Sequence, residues 1–586
     1  MSNYSEEKNV LMLLSLMKEH NISKVIVSPG TTNVSLVASW QQDPFFTLYS
    51  AYDERSAAYM ACGIAAETGE AVALSCTQAT ASRNYFSGLT EAYYRKLPIL
   101  AITSTQHAGR VGQGFQQAID RTAQPVDTVK LSFQVPVIHD RDDAWYCNLM
   151  MNRAMLELKR AGGGPVHINL YTTYSKVFNV KELPKERVID RVTYFDIYKG
   201  KRPDLSQNAK VVIFVGAHKK WDTDLLTAID DFCDKYNAVV CCDQISNYKG
   251  KYRVNCGLVT SQMEYRSPVL DADVIIHIGE ITGTILAMNG KEVWRVDPNG
   301  QIMDTFKQQR YVFEMEEEYF FRSYADAMEK LPANHEYYDA WCSEHLKLAA
   351  NIPELPFSNA WIAQNTIDKL PENSVLHMGI YNSYRMWSLY EAPESVLGYS
   401  NTGGFGIDGG LSSLLGASLC TDNLVFGVFG DLAFFYDMNS LGNHHYGKNV
   451  RILLINNGLG VEFKFEHNRA YNLGDSANAY IAAQGHNGAK SRELVKHYAQ
   501  DLGFMYLSAE TKKEYIDNLN IFLDSDQRQS IIYEVFIDYN DDVKACTELR
   551  YLYSSLDRKL INKAKSIVGE SGIKKVKKLL GKDSVV

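Results

Sequence analysis

The segment "GDLAFFYDMNSLGNHHYGKNVRILLINNGLG", residues 430–460, opens with an acid behind a glycine and closes on two asparagines behind an apolar run. Asp431 follows "LVFGVFG" (424–430), which reads as a strand, and precedes a helix expected to start near Ala433. The next strand, "VRILLIN" (450–456), returns Asn456-Asn457 to the same edge of the sheet. An acid at that edge can ligate a hard cation, and the free N–H groups of a helix start suit phosphate. A carboxylate, an amide oxygen and a nearby backbone carbonyl, completed by phosphate and water, make an octahedral Mg2+ site. The spacing fits a magnesium–diphosphate centre, although a strand and helix packed for burial alone would show the same residues.

Such a centre needs a sheet to hold it. Residues 355–545 supply apolar strands at "SVLHMG" (374–379), "SVLGYSN" (395–401), 424–430, 450–456 and "SIIYEVFI" (530–537). Residues 1–185 alternate helical patterns with the strands "KVIVSPG" (24–30), "AVALSCT" (71–77) and "LPILAITS" (97–104). Strands alternating with helices indicate a parallel, doubly wound sheet, whose ligands bind at the carboxyl ends of the strands. Ser28–Asn33, Thr77–Thr80 and Ser104–Gln117 are therefore candidate site loops. Residues 190–345 form a further α/β unit beginning with "NAKVVIFVGAHKK". Its first strand ends in Val215-Gly216-Ala217-His218, which is no G-x-G-x-x-G turn, so a dinucleotide or FAD site there is disfavoured. The expected fold is α/β, with three doubly wound domains (1–185, 190–345 and 355–545) and a tail at 550–586.

The bulk properties agree. At 586 residues the chain is too long for one core, so about three domains are expected. A net charge of −9 argues against a nucleic-acid binder. Ten cysteines without a C-x-x-C pair fit a reduced, cytoplasmic protein, and adjacent Cys241-Cys242 reads as strand packing. The start, "MSNYSEEKNVLMLLSLMKEH", reads as an amphipathic helix and not as a signal peptide, and no run of 18 apolar residues suggests a membrane span. From Leu556 to Val586 nine Lys/Arg stand against three acids, with Ile573, Val576, Leu579 and Leu580 on one helical face. A basic amphipathic helix of this kind lies peripherally on an anionic membrane or docks on an acidic partner; a merely solvated helix reads the same.

"GDL…NN", with 23 residues between Leu432 and Asn456, resembles the G-D-G…N-N signature of thiamine-diphosphate (ThDP) enzymes, with Leu432 in place of the third glycine. Within that superfamily "GDLAFFYDMNSL", "YSNTGGFGIDGGLSS" (399–413), "SPGTTN" (28–33), "DERSAAYMACGIAAETGEAVALSCT" (53–77), "NYFSGLTEAYYRKLPILAIT" (84–103) and "QQAID" (116–120) look most like the 2-succinyl-5-enolpyruvyl-6-hydroxy-3-cyclohexene-1-carboxylate synthases of menaquinone biosynthesis. Acetolactate synthase and the 2-oxo acid decarboxylases are more distant relatives. The resemblance implies pyrimidine-binding, central and diphosphate-binding domains in that order. It implies that Asp431, Asn457 and the Leu459 carbonyl bind Mg2+, with Leu432 and Ala433 beside the diphosphate. Glu54 would be the catalytic acid that hydrogen-bonds the cofactor's pyrimidine. Ile407, with Phe405 second, would wedge beneath the cofactor, and Asn382, Ser383, Ser400 and Asn401 would face its diphosphate. A homodimer or homotetramer is implied, because the superfamily holds the cofactor between domains of two subunits.

The substrate side departs from the pattern. The synthases clamp carboxylates with arginines, whose guanidinium fork matches a carboxylate. Their "SPGSRS", "TADRP" and "YSNRGASGID" read "SPGTTN", "TSTQH" and "YSNTGGFGID" here, so Thr32, Gln106 and Thr402 stand where arginines are expected. Their "CTSGT" reads "CTQAT" (76–80), and Arg385 lies out of register with a further arginine. Thr32, Asn33, Gln78, Gln106, Gln113, Gln117 and Thr402 would suit a hydroxylated or amide-bearing substrate, with Arg83 and His107 as charged contacts. The expected activity is ThDP- and Mg2+-dependent decarboxylation of a 2-oxo acid, with C–C bond formation to a second carbonyl acceptor. A decarboxylase releasing an aldehyde, the menaquinone-pathway synthase itself and a silent ThDP-fold scaffold or sensor are the alternatives, the synthase being ranked down because its arginines are missing.

Overall fold

The computed structural model describes residues 3–328, 334–486 and 490–553. The basic stretch from Leu556 onward, with its membrane or partner reading, lies outside the described residues. The chain divides into two compact units, residues 1–200 with 299–314, and residues 201–298 with 315 onward.

In the first unit six parallel strands stand in the order Thr47–Ser50, Lys24–Val27, Val72–Cys76, Ile99–Thr105, Val166–Tyr171, Leu131–Val135. Val72–Cys76 and Ile99–Thr105 are buried along their whole length. Helices cover both sheet faces, so the central strands need apolar side chains on both sides. One face carries a core around Leu13, Met17, Trp40 and Met151, the other a core around Ala58, Cys62, Tyr85 and Leu89. Helix Glu54–Thr68 is capped by the Asp53 carboxylate, which accepts from the Ser56 N–H at 3.2 Å, and it ends at Gly69 with φ 69°. The strand at Lys24 stops at Val27, short of the expected Gly30, because Pro29 restricts the residue before it and begins the loop.

In the second unit one sheet has the order Leu397–Tyr399, Val375–Met378, Val425–Gly430, Val450–Asn456, Ile531–Phe536, Met505–Ala509, all parallel. Read in chain order this is second-first-third-fourth-sixth-fifth, the same as the six-stranded sheet of the first unit. In both, the first strand has its neighbours on opposite sides wound in opposite directions. That reversal opens a crevice at the carboxyl ends of the strands. The helix after Val425–Gly430 begins at Asp431 itself, not near Ala433, because Gly430 is already the extended cap residue.

The other sheet of this unit holds Arg253–Asn255, Ala238–Cys242, Val211–Val215, Asp271–Ile278 and Asn289–Val296 in parallel. Cys241 and Cys242 are buried free thiols within it. At its reversal point Ala217 bridges Glu280, and a Cβ on Gly216 would stand 1.9 Å from the Glu280 carbonyl oxygen. Gly216 permits this close approach of backbone to backbone. No helix among the described residues is long and apolar enough to cross a membrane.

Candidate functional site

Asp431 stands at the carboxyl end of its strand, 5% exposed. Its Oδ1 accepts from the Leu432 N–H and its Oδ2 from the Gly458 N–H, both at 2.7 Å. The second bond pulls the turn after Val450–Asn456 onto the acid and brings Asn457 and Leu459 beside it. Burial pushes the Asp431 carboxyl up to about 7, offset by the backbone N–H groups of Leu432 and Gly458 and reinforced by the charge of Asp542. A cation would reverse that shift.

The two asparagines part company. Asn456 Nδ2 donates to Glu534 at 2.8 Å, inside the sheet, and is structural. Asn457 Nδ2 donates to the buried Asp542 carboxylate at 3.0 Å, which leaves Oδ1 as its remaining coordinating atom. Asp542 is held in turn by the Asn359 N–H at 2.7 Å, and burial pushes it up to about 6. Asp542 was not singled out in the sequence; it stands 85 residues beyond Asn457 in a helix, and no spacing links the two.

Asp431 and Asn457 line a cavity of about 310 Å3 together with Asn382, Ser383, Ile407, Leu432, Ala433 and Leu459. The Asn382 Oδ1 is buried without a protein partner. Ile380, Ile455, Val461 and Phe463 give the cavity an apolar wall. Ser400 and Asn401 line an adjoining cleft that shares Ile407, while Ser400 Oγ donates to the Met378 carbonyl at 2.8 Å and Asn401 Nδ2 to the Gly409 carbonyl at 3.2 Å. Phe405 packs edge-on against Tyr381 at 5.5 Å and is not among the residues lining the cavity. Both rings sit on strained backbone, Tyr381 at φ 64° and Phe405 at φ 52°. No cluster of three His, Cys, Asp or Glu able to hold a metal occurs among the described residues. A site with one carboxylate, one amide oxygen and one carbonyl, completed by phosphate, needs none. The buried Asp431 carboxyl and the orphaned Asn382 amide oxygen fit a metal–diphosphate group.

In the first unit, Glu54 is half-buried at the first turn of its helix, and its Oε2 accepts from Asn84 at 3.2 Å. Thr32, after Lys24–Val27, is buried; its hydroxyl contacts the Thr77 hydroxyl, the Ser104 hydroxyl at 2.9 Å and the Ser104 carbonyl at 3.3 Å. Gly30 permits this approach, since a Cβ there would stand 2.6 Å from the Thr77 Cβ. Asn33 Nδ2 donates to the Ser28 carbonyl at 3.0 Å. Gln78 is buried between Thr105 and Tyr174, and Gln106 also donates to the Tyr174 hydroxyl. Ala79, beside Gln78, is strained at φ 53°. His107, Gln113 and Gln117 are exposed; His107 Nδ1 accepts from the Gly109 N–H at 3.1 Å. Thr402 is buried in the second unit, its N–H on the Ser400 carbonyl at 2.8 Å. Arg385 is engaged by Glu462 at 2.7 Å.

Arg121 was missed. It follows "QQAID" directly and is 3% exposed. Its Nη2 donates to the Ser104 carbonyl at 3.2 Å, the same oxygen that Thr32 contacts, and its Nη1 to the Thr77 carbonyl at 3.4 Å. Burial, reinforced by the neighbouring Arg83 charge, pulls the guanidinium down to about 10. Arg83 itself is half-buried and donates to the Asp120 carbonyl at 2.7 Å. Beside Thr32, then, stands a guanidinium from another loop, in addition to Arg83, the charged contact that the sequence named.

Residues 10–124 match the family described as "Thiamine pyrophosphate enzyme, N-terminal TPP binding domain", which sets the class as ThDP enzymes. The chain is 31% identical over 562 residues to the 2-succinyl-5-enolpyruvyl-6-hydroxy-3-cyclohexene-1-carboxylate synthase of Bacteroides fragilis, covering 92% of this chain and 98% of the relative. It is 31% identical over 576 residues to the synthase of the same name from Bacteroides thetaiotaomicron (95% and 100%), and 27% identical over 554 residues to that of Flavobacterium johnsoniae (89% and 95%). The chain belongs to the family of these synthases, within the ThDP enzymes.

Proposed function

We propose that the protein is a ThDP- and Mg2+-dependent synthase that decarboxylates a 2-oxo acid and joins the remaining acyl unit to an anionic acceptor, a reading supported by its likeness to synthases named for a succinylated carboxylate product. Arginine loss at 32, 106 and 402 ranks that reading below an unrelated carboligation, but likeness along 98% of a relative's length weighs the other way. A succinyl group in the named product corresponds to 2-oxoglutarate less carbon dioxide, which makes 2-oxoglutarate the donor to test.

The observation that carries the reading is the Asp431–Gly458 clasp, which sets Asn457 and Leu459 beside a buried acid. Asp431, Asn457 Oδ1 and the Leu459 carbonyl would hold Mg2+, and Asn382 and Ser383 the diphosphate. When bound, ThDP supplies the electron sink that lets a 2-oxo acid lose carbon dioxide. Glu54 would hydrogen-bond the pyrimidine, its Oε2 held by Asn84. Asp542 fixes the Asn457 amide through Nδ2, so that Oδ1, which accepts from the Leu459 N–H at 3.3 Å, would be the atom offered to the metal. The apolar wall of Ile380, Ile455, Val461 and Phe463 excludes water. Glu54 and Asp431 belong to different compact units, and we place the working cofactor between two copies of the chain, in a homodimer or homotetramer.

The test is calorimetric titration of ThDP in MgCl2, then carbon dioxide release from 2-oxoglutarate and other 2-oxo acids with product mass analysis. Failure to bind ThDP, or silence across the panel, would overturn the proposal. A second reading is an altered substrate, favoured by Gln106 and Thr402, which have no cation in their described contacts. Turnover of a different 2-oxo acid, with 2-oxoglutarate inert, would select it; an aldehyde as sole product would mark a decarboxylase.

A further inference from the structure

Thr32 and Arg121 meet on one oxygen, the Ser104 carbonyl, although they lie 89 positions apart in the chain. The place is the carboxyl edge of the first unit's sheet, where Lys24–Val27, Val72–Cys76 and Ile99–Thr105 end side by side. Strand ends at a winding reversal form the ligand crevice of a doubly wound sheet. A guanidinium buried there is costly unless an anion offsets it. Among the described residues no ion pair reaches Arg121, and the nearby Arg83 charge opposes its own. Its two carbonyl contacts, at 3.2 and 3.4 Å, are long for charged hydrogen bonds, which run to about 2.7–2.9 Å. Its Nε–H, buried, donates to nothing.

We infer that Arg121 is a carboxylate-binding residue of this chain, presenting Nε–H and an Nη–H side-on to a substrate carboxylate beside the Thr32 and Ser104 hydroxyls. The inference rests on the proposed function for the identity of the substrate, but not for the anion site itself. The guanidinium that the family's motif places at position 32 reaches the same crevice from position 121, with Thr32 making room. A lysine would be a poorer occupant, because the side-on pair needs the planar fork.

Succinate serves as the probe, since it carries carboxylates but no keto group to react. The full chain, loaded with ThDP and MgCl2, is melted with and without succinate at constant ionic strength, alongside R121Q, R121K and R83Q. For the native chain a saturable rise of at least about 2 °C is expected. R121Q is expected to melt no lower than the native chain without succinate, because an uncompensated buried charge is gone, and to lose the succinate response. R121K should keep a weaker response, and R83Q should lose less of it than R121Q does. A succinate response undiminished in R121Q overturns the assignment. So does an R121Q chain that melts lower or fails to fold, since Arg121 would then be a structural tie between the Thr77 and Ser104 carbonyls. Inorganic phosphate stabilising the native chain where succinate does not would overturn the carboxylate class. The readout needs no turnover, so silence in the 2-oxo acid panel and loss of the anion site are separate outcomes.

Discussion

Two crevices of the molecule share one topology and hold opposite charges. Both six-stranded sheets run second-first-third-fourth-sixth-fifth, and each opens beside its first strand. In the second unit a carboxyl is buried there, Asp431, whose pKa burial raises. In the first unit it is a guanidinium, Arg121, whose pKa burial lowers. The difference teaches that winding decides where a ligand lies, while a single buried charge decides its sign. The remaining sheet supplies the control: at its reversal point the Ala217–Glu280 bridge closes the crevice with backbone.

The sharpest way to separate the crevices is through Glu54. E54Q is expected to lower turnover by roughly 10²–10⁴-fold while leaving ThDP affinity within about threefold, read by steady-state rates and calorimetry. Next comes D431N, for which Mg2+-dependent ThDP affinity should fall by more than about 100-fold while the succinate response persists. Loss of both together would erase the division between an anionic and a cationic crevice. D542N should cost about 10–100-fold in Mg2+ affinity, because the Asn457 amide is then free to turn; an unchanged affinity would remove Asp542 from the site.

Smaller effects belong to stability. His167 is buried between the Thr103 and Ser132 hydroxyls, at 2.7 and 2.8 Å, and burial, then Arg121 and Arg83, pulls it down to about 3 from 6.5. The unfolded chain therefore takes up this proton first, and stability is lost as pH falls from 6.5 toward 3. Between pH 6 and 4, H167Q should flatten the dependence of unfolding free energy by about 1.4 kcal/mol per pH unit, measured by urea titration. A slope equal to that of the native chain would place the acid sensitivity elsewhere.

Much of the anionic crevice could be read in advance because its parts are local. Asp431, Asn457 and Leu459 lie within one strand–helix–strand stretch, and the apolar runs around them betray the sheet. Asn382 was expected at a strand end and Ile407 came from the family resemblance; both line the same cavity. Arg121 escaped notice in the cationic crevice because its charge arrives from a distant loop. An arginine after "QQAID" has no periodicity or spacing to announce burial, and only coordinates join it to Thr32. Asp542 escaped for the same reason. Asn456 shows the converse error of attention, since its place in the motif belongs to Glu534 and the sheet.

Ala79, Tyr381 and Phe405 hold left-handed backbone in the loops that edge the two crevices. Each is a position where glycine would relieve about 1 kcal/mol or more of steric cost. A directed-evolution screen that rewards heat tolerance alone should therefore collect glycines at these three positions, and in doing so loosen the loops on which catalysis depends. Selection for both properties together would leave them untouched, so the three residues form a compact test of whether a library was screened for survival or for work.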